Sequence, residues 1–384
     1  MLENLKKYYK TENKQADRRI ECIEKGRKDN FSMQHRYFAS SNSSEGFKSY
    51  YAEVFERADR VYVIKGGPGT GKSGFMRKCA TAAEKAGREV EYYFCSSDPS
   101  SIDGVLISGK GGGIGIVDGT APHTWEPSQP GAREEIINFG SFWRSELLRG
   151  QKNEIFSLSN KKSAAYKRAY AYLRSCGNLR AVTDSLLRKA TDFEKLQSAA
   201  VRLARSLSLK DGELTVIPAL TGAVGMTGVK RLDTIEKNSE KLWQIGEFYG
   251  VGQWFMDALL GALKRYHGLA RVSYDCVVPR LCDGIFIENE ALGFALRRKG
   301  DESVPLCDDK YINPKRFIHT EKMREIRGEL RYAARLYDEC LDGALHALGE
   351  AKIYHFLLED IYKNAMDFGA LGDFTQSFAK EILQ

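Results

Sequence analysis

The chain has no apolar run approaching the roughly 20 residues that a bilayer-spanning helix needs. Its opening, MLENLKKYYKTENKQADRRIE, is charged and has no apolar stretch of the kind a secretory leader carries. These absences point to a cytoplasmic protein with no membrane partner. Cysteine is present but unorganised. Cys22, Cys79, Cys95, Cys176, Cys276, Cys282, Cys307 and Cys340 include no C-x-x-C pair. Neither a zinc-finger nor a disulfide framework is expected, only reduced cysteines among apolar neighbours. With 42% hydrophobic and 28% charged residues in 384, the composition also excludes a disordered chain or a fibre. The length leaves room for two or three packed domains.

The net charge is +7, and it is localised. Residues 142–210 hold 15 Lys and Arg against 5 acids, a net +10, so the rest of the chain sums to −3. This segment reads as helices, through KKSAAYKRAYAYLRSC and DSLLRKATDFEKLQSAAVRLARSL. Its basic residues, with Tyr166, Tyr170 and Tyr172 interleaved, make it the candidate surface for nucleic acid or an acidic protein. A solvated helical face with its tyrosines turned inward fits the same pattern.

The sharpest motif lies at 61–73. VYVIKG reads as a short buried strand, and GGPGTGKS from Gly66 to Ser73 fits G-x-x-x-x-G-K-[ST]. A helix follows, with Phe75, Cys79, Ala82, Ala83 and Ala86 on one face and Gly87 as its stop. Gly67, Gly69 and Gly71 let the backbone curl with its N–H groups inward, around phosphate oxygens. Pro68, Thr70 and Gly74 complete the loop. The helix N-terminus adds partial positive charge there. Lys72 is the residue for the β- and γ-phosphates, and Ser73 is a Mg²⁺ ligand. The cofactors expected are therefore ATP and Mg²⁺. ATP is favoured over GTP because no N-K-x-D motif follows; transporter-type and protein-kinase signatures are also missing.

A second metal-binding acid is needed. GIGIVD at 113–118 delivers Asp118 at a strand end; EVEYYFCSSD delivers Asp98 at the end of the strand after the loop helix. Asp118 is the first candidate, with Asp98 as its rival or as the carboxylate that orients the attacking water. His123 follows closely and is a candidate for lining the site.

A shift of about 180 residues brings the chain onto itself. VYVIKGGPGTGKSGFM lies over LWQIGEFYGVGQWFMD, with Gly69 and Gly71 on Gly250 and Gly252. Gly87 meets Gly268, and Tyr93 and Cys95 meet Tyr274 and Cys276. DGVLI meets DGIFI, and GFK meets GVK. Asn138 and Phe142 meet Asn313 and Phe317, and Asp192–Phe193 meet Asp367–Phe368. In this alignment Gln253 and Trp254 stand where the first copy has Lys72 and Ser73. Glu247 replaces the first loop glycine, and no Asp ends ALGFALR. The second copy is expected to be a non-hydrolytic pseudo-site.

Four segments together resemble a known family: HRYFASSNSSEGFKSYY, VYVIKGGPGTGKS, FCSSDPSSIDGVLI and VDGTAPHTWEPSQPGAREEIINFGSFW. They look like a clostridial-type bacterial family of tandem P-loop ATPases, and they cover much of the first half. The resemblance implies ATPase activity and a two-domain layout, and supplies no substrate. GEFYGVGQW departs from those members that keep an intact second loop.

The expected architecture is α/β: two tandem P-loop NTPase-like domains, each a parallel sheet flanked by helices, with helical insertions. An N-terminal helical arm spans 1–30, the active domain 31–210 and the degenerate repeat 211–384. Expected activity is Mg²⁺-dependent ATP hydrolysis, with a small-molecule kinase or an ATP-controlled binding module as alternatives. Oligomeric state is left open.

Overall fold

A computed structural model describes residues 33, 35–109, 112–298 and 310–384. The arm expected at 1–30 lies outside them. The first half runs β1 (Arg36–Phe38), a hairpin of β2 (Ser40–Ser43) and β3 (Gly46–Ser49), α1 (Tyr51–Phe55), β4 (Ala58–Lys65) and α2 (Lys72–Lys85). It continues with β5 (Val90–Phe94), β6 (Ile102–Ile107), β7 (Gly113–Asp118) and β8 (Glu134–Asn138). Helices α3 (Ser145–Gly150), α4 (Lys152–Ala190) and α5 (Phe193–Ser206) follow. The second half repeats the order: β9 (Leu214–Pro218), the hairpin β10 (Gly222–Gly225) and β11 (Gly228–Arg231), α6 (Thr234–Asn238), β12 (Lys241–Gly246) and α7 (Val251–Leu263). Then come β13 (Gly268–Tyr274), β14 (Cys282–Ile287), β15 (Leu292–Arg297), β16 (Tyr311–Ile312), α8 (Thr320–Ala365) and α9 (Phe368–Glu381).

Each half builds one sheet with equivalent strands in the same order: β1-β5-β6-β7-β4-β8 and β9-β13-β14-β15-β12-β16. Small packing details repeat as well. Phe55 of α1 fills the space over Gly104 and Gly115 on neighbouring strands, and Ile235 of α6 does the same over Gly284 and Gly293. A Cβ at any of the four would meet that side chain. Asp192 caps α5 by accepting from Lys195 N at 2.9 Å, and Asp367 caps α9 by accepting from Ala370 N at 2.9 Å.

The sheets are mixed, which corrects the expectation of parallel sheets. β6 runs antiparallel to β5 and β7, and β14 to β13 and β15; the other pairs are parallel. The cause is chain length. Only residues 95–101 separate β5 from β6, and 108–112 separate β6 from β7. A parallel return needs a crossover of about a dozen residues or more. β4 still has parallel neighbours on both sides, so its 61–64 stretch, VYVI, is buried throughout.

The terminal helices are exchanged between halves. α5 lies on α7 of the second half, where Phe193 and Trp254 rings sit 5.1 Å apart. α9 lies on α2 of the first half, where Phe374 stacks on Phe75 at 5.9 Å and Phe378 meets Tyr62 edge-on at 4.8 Å. Leu196, Ala200 and Leu203 thus belong to the second core, and Leu371 and Phe378 to the first. The long helices α4 and α8 run antiparallel against each other. Ala165, Ala169, Leu173 and Cys176 face inward from α4; Ala344, Ala347, Leu348 and Ala351 face inward from α8. One end is tied by an antiparallel bridge between Trp143 and Met366, the other by one between Thr191 and Ile318. A shift of 175 residues turns one bridge into the other, as a duplication with reciprocal exchange requires. Among the described residues no helix is long and apolar enough to cross a membrane.

A buried ionic junction also joins the sheets. Glu91 of β5 accepts from Arg57 at 3.0 and 2.8 Å and from Arg271 of β13 at 2.9 and 2.7 Å. Arg271, which also pairs with Glu288, is 3% exposed. Burial works against the Glu91 charge, yet Arg271 and Arg57 outweigh it and hold the carboxyl far below its ordinary value.

Candidate phosphate-binding site

The loop after β4 has the backbone its glycines permit. Gly69 and Gly71 take left-handed φ of +70° and +90°, and Gly71 opens α2. Thr70 Oγ1 donates to Gly67 O at 2.9 Å, which closes the turn. Lys72, the first residue of α2, folds back so that Nζ donates to Gly66 O at 3.0 Å and Gly67 O at 2.7 Å. Asp118 Oδ2 lies 3.5 Å from the same nitrogen. β7 pairs in parallel with β4, with Asp118 opposite Ile64, so the strand order carries this carboxylate to the mouth of the loop. Asp118 Oδ1 accepts from Thr120 N at 2.9 Å and from the Thr120 hydroxyl. Burial raises the Asp118 pKa, and Lys72 opposes that rise without cancelling it. Ser73 Oγ accepts from Ile102 N at 3.0 Å, which ties the loop helix to β6.

The outer wall of the loop comes from the second half of the chain. A Cβ at Gly67 would stand 2.5 Å from the Tyr362 ring, and one at Gly69 would stand 2.7 Å from the Glu359 carbonyl oxygen. Gly71 faces Leu371 and Phe368. On the inner side, Gly66 packs on Phe139. Three of the four glycines are therefore tight where α8 and α9 press on the loop. A Cβ at Gly74 would meet nothing, so no neighbour demands glycine there.

The expected site residues divide. The loop, Lys72 and Asp118 come together. His123 comes near them through Asp103, its Nε2 lying 2.9 Å from Asp103 Oδ2. Burial opposes the charge on both, but each raises the charged fraction of the other: Asp103 is held below its ordinary value and His123 above. Asp98 instead turns both carboxylate oxygens to the Ser100 hydroxyl, at 2.8 and 3.0 Å, within its own turn. The sequence reading missed Asp103, Glu359 and Tyr362. The Asp–Gly pair at 103–104, repeated at 283–284, was the available signal for Asp103. Nothing local signals Glu359 and Tyr362, since they reach the loop only through the helix exchange.

The second loop differs from the sequence alignment. Gly250, φ +105°, opens α7 as Gly71 opens α2. Gly246 ends β12 as Lys65 ends β4. The second loop is thus two residues shorter. Gly250 corresponds to Gly71, so Val251 and Gly252 stand in place of Lys72 and Ser73, rather than Gln253 and Trp254. An ungapped alignment could not show this. Similarly, the strand registers place Tyr274 with Phe94, and therefore Asp275 with Cys95. Leu296, paired with Ile245, takes the place of Asp118.

The Glu247 carboxylate accepts from Gly250 N and so occupies the helix N-terminus that a phosphate would use. Arg180 lies over Gly250, bonds Gln253 Oε1 at 2.7 Å and pairs with Asp184 at 2.8 Å. His355 and Glu359, 3.3 Å apart, are the counterparts of that pair over the first loop.

Neither a family model, a curated protein nor a solved structure matches this chain. Its function has to be read from the residues themselves.

The basic segment 142–210 covers α3 to α5. The Tyr166 hydroxyl lies 3.1 Å from Ser97 Oγ, and the Tyr170 hydroxyl donates to Asn42 Oδ1 at 2.8 Å. Both rings turn inward. Tyr172 is more exposed and lies against Gly343 of α8. Interleaving in sequence therefore does not produce a row of outward rings.

Proposed function

We propose that the first half binds ATP with Mg²⁺ and hydrolyses it, and that the second half is a non-hydrolytic counterpart. One observation carries this reading: Lys72 is held between the loop carbonyls and Asp118, at the opening of a helix whose first amides have no side-chain cap. A lysine so placed is ready to exchange carbonyl oxygens for phosphate oxygens. Backbone N–H groups of 67–73 would cradle the phosphates. Ser73 and Asp118 would hold Mg²⁺, which when bound neutralises charge on the phosphate oxygens. Asp118 suits that role, since its carboxylate already faces a cation. Asp98, engaged in its own turn, would have to leave Ser100 to orient water.

The second loop supports the division of labour. It holds no lysine, it is shorter, and its own Glu247 fills the anion position. A second reading, phosphoryl transfer to a small molecule, is favoured by one feature. A cavity of about 540 Å³ opens beside His123, lined by Tyr51, Trp125, Glu53, Glu126 and Arg133. It could take an acceptor.

The test is turnover of ATP by the purified chain, with and without Mg²⁺ and a metabolite panel, beside Lys72→Ala and Asp118→Asn. Loss of at least about 100-fold in either variant is expected. Turnover unchanged in Lys72→Ala would refute the site. Activity only with a metabolite would select the kinase reading.

A further inference from the structure

Behind Asp118 lies a second group of side chains that phosphate chemistry does not need. Cys95 follows β5, Asp103 lies on β6 and His123 sits in the loop after β7. Their donor atoms all lie within 4.8 Å of one another. Asp103 and His123 are 5% and 9% exposed; Asp103 Oδ2 meets His123 Nε2 at 2.9 Å, while His123 Nδ1 and the neighbouring Tyr51 hydroxyl lack a hydrogen-bond partner. Tyr51 and His123 rings are 5.3 Å apart. Buried polar atoms are nearly always satisfied, so two orphans beside a thiol and a carboxylate call for an explanation such as an ion.

The second half supplies the comparison. Equivalent strand registers put Asp275 where Cys95 stands and Asp283 where Asp103 stands. Between these two acids the second half places Arg298, which pairs with Asp283 and lies 3.4 Å from Asp275. Arg231 adds a contact to Asp283 at 3.0 Å. The positions of those arginines hold Thr120 and Ser49 in the first half. A position filled by permanent positive charge in one copy thus has lost both guanidinium groups in the other. Instead the first half has a thiol at the place of Asp275 and the His123 imidazole against Asp103, two metal ligands.

We propose that Cys95, Asp103 and His123 bind a zinc ion. Sulfur, oxygen and nitrogen donors together suit Zn²⁺ and not Mg²⁺ or Ca²⁺. At the tetrahedral angle two bonds of about 2.0–2.3 Å put donor atoms about 3.3–3.8 Å apart, so the outermost pair of the cluster must close by up to about 1–1.5 Å on binding. Three protein ligands leave a fourth position for water or another ligand, and of the three His123 lines the neighbouring cavity. On binding, Cys95 coordinates as the thiolate and its proton passes to solvent. The ligands come from three separate segments, which is why cysteine spacing did not reveal them.

The test uses the full-length chain. Purified protein is exposed to Zn²⁺ alone, desalted and assayed for bound metal by mass spectrometry; Co²⁺ is substituted in parallel and its absorption recorded. About one equivalent per chain and a thiolate-to-Co²⁺ charge-transfer band are expected. Cys95→Ser should abolish the band, and Cys95→Ser and His123→Ala should each weaken Zn²⁺ binding by more than about 10-fold. Thermal melts of the metal-free variants check that they fold. Absence of Zn²⁺ binding in the wild type, a Co²⁺ spectrum without a thiolate band, or metal retained in folded Cys95→Ser would overturn the proposal. Should the variants not fold, the wild-type stoichiometry and spectrum still decide it.

Discussion

Replacement of Glu91 by glutamine tests how the two halves are held together. Glu91 receives four hydrogen bonds from two guanidinium groups, and Arg271 is 3% exposed. Glutamine keeps the shape and removes the charge. Arg271 and Arg57 then face each other with only Glu288 to compensate Arg271. Breaking a buried pair in this way costs about 3–5 kcal/mol. At about 2.1 cal/mol/K per residue, the unfolding entropy of a 384-residue chain melting as one unit is about 0.8 kcal/mol/K. The expected drop in Tm is therefore about 4–6 °C.

The pH dependence has a definite sign. Glu91 is depressed in the folded state, so its contribution is full above its ordinary value of 4.5 and fades as pH falls below that. Glu91→Gln should therefore lose most at neutral pH and show a shallower acid limb. Differential scanning calorimetry from pH 3 to 8 measures both effects. The double variant Glu91→Gln/Arg271→Met removes one of the two guanidinium groups left facing each other and should recover part of the loss. A neutral-pH loss under about 1 kcal/mol, or no recovery in the double variant, would refute a desolvated junction between the sheets.

Gly67→Ala places a methyl against the Tyr362 ring, and a cost of about 1–3 kcal/mol is expected. Adding Tyr362→Ala should restore part of it; an unchanged urea midpoint in Gly67→Ala would mean that α8 does not lie on the loop. Burial pushes Asp257 up to about 6, although its Oδ1 accepts from Cys282 N at 2.9 Å. A raised acid contributes stability below its ordinary 3.8 that is lost as pH rises through about 6, so Asp257→Asn should stabilise the chain at pH 8 and not at pH 3.5. Equal urea midpoints at the two pH values, relative to wild type, would contradict this. Asp192→Ala and Asp367→Ala should each cost about 0.5–2 kcal/mol and resemble each other, as equivalent caps of α5 and α9. Calorimetry showing a loss in only one would argue against the equivalence.

Much of the glycine loop at 66–73 was legible in the chain. A strand of VYVI, a run of glycines and a helix with apolar residues at every third or fourth position are local patterns, and local sterics alone dictate them. The repeat was legible for the same reason, as was the loss of lysine and serine in its second copy. Caps at Asp192 and Asp367 emerged as matched letters before they emerged as hydrogen bonds. What sequence could not supply was everything that depends on distance along the chain. The antiparallel course of β6 followed from loop length, but its partners followed from the whole sheet. The two-residue gap in the second loop became visible only when Gly250 was found opening its helix.

Tertiary structure alone decided who covers the first loop. Tyr362 lies far from Gly67 in sequence, and only the exchange of α8 and α9 across the halves brings them into contact. It likewise decided that Asp118 faces Lys72 while Asp98 bonds Ser100, because strand order and not sequence distance sets which carboxylate reaches the loop. The grouping of Cys95, Asp103 and His123 has the same origin. Sequence fixes the chemistry each side chain can perform, through its own atoms and its immediate backbone. Packing fixes which of those atoms meet, because contacts between remote segments are set by the burial of whole faces, which no short stretch of residues encodes.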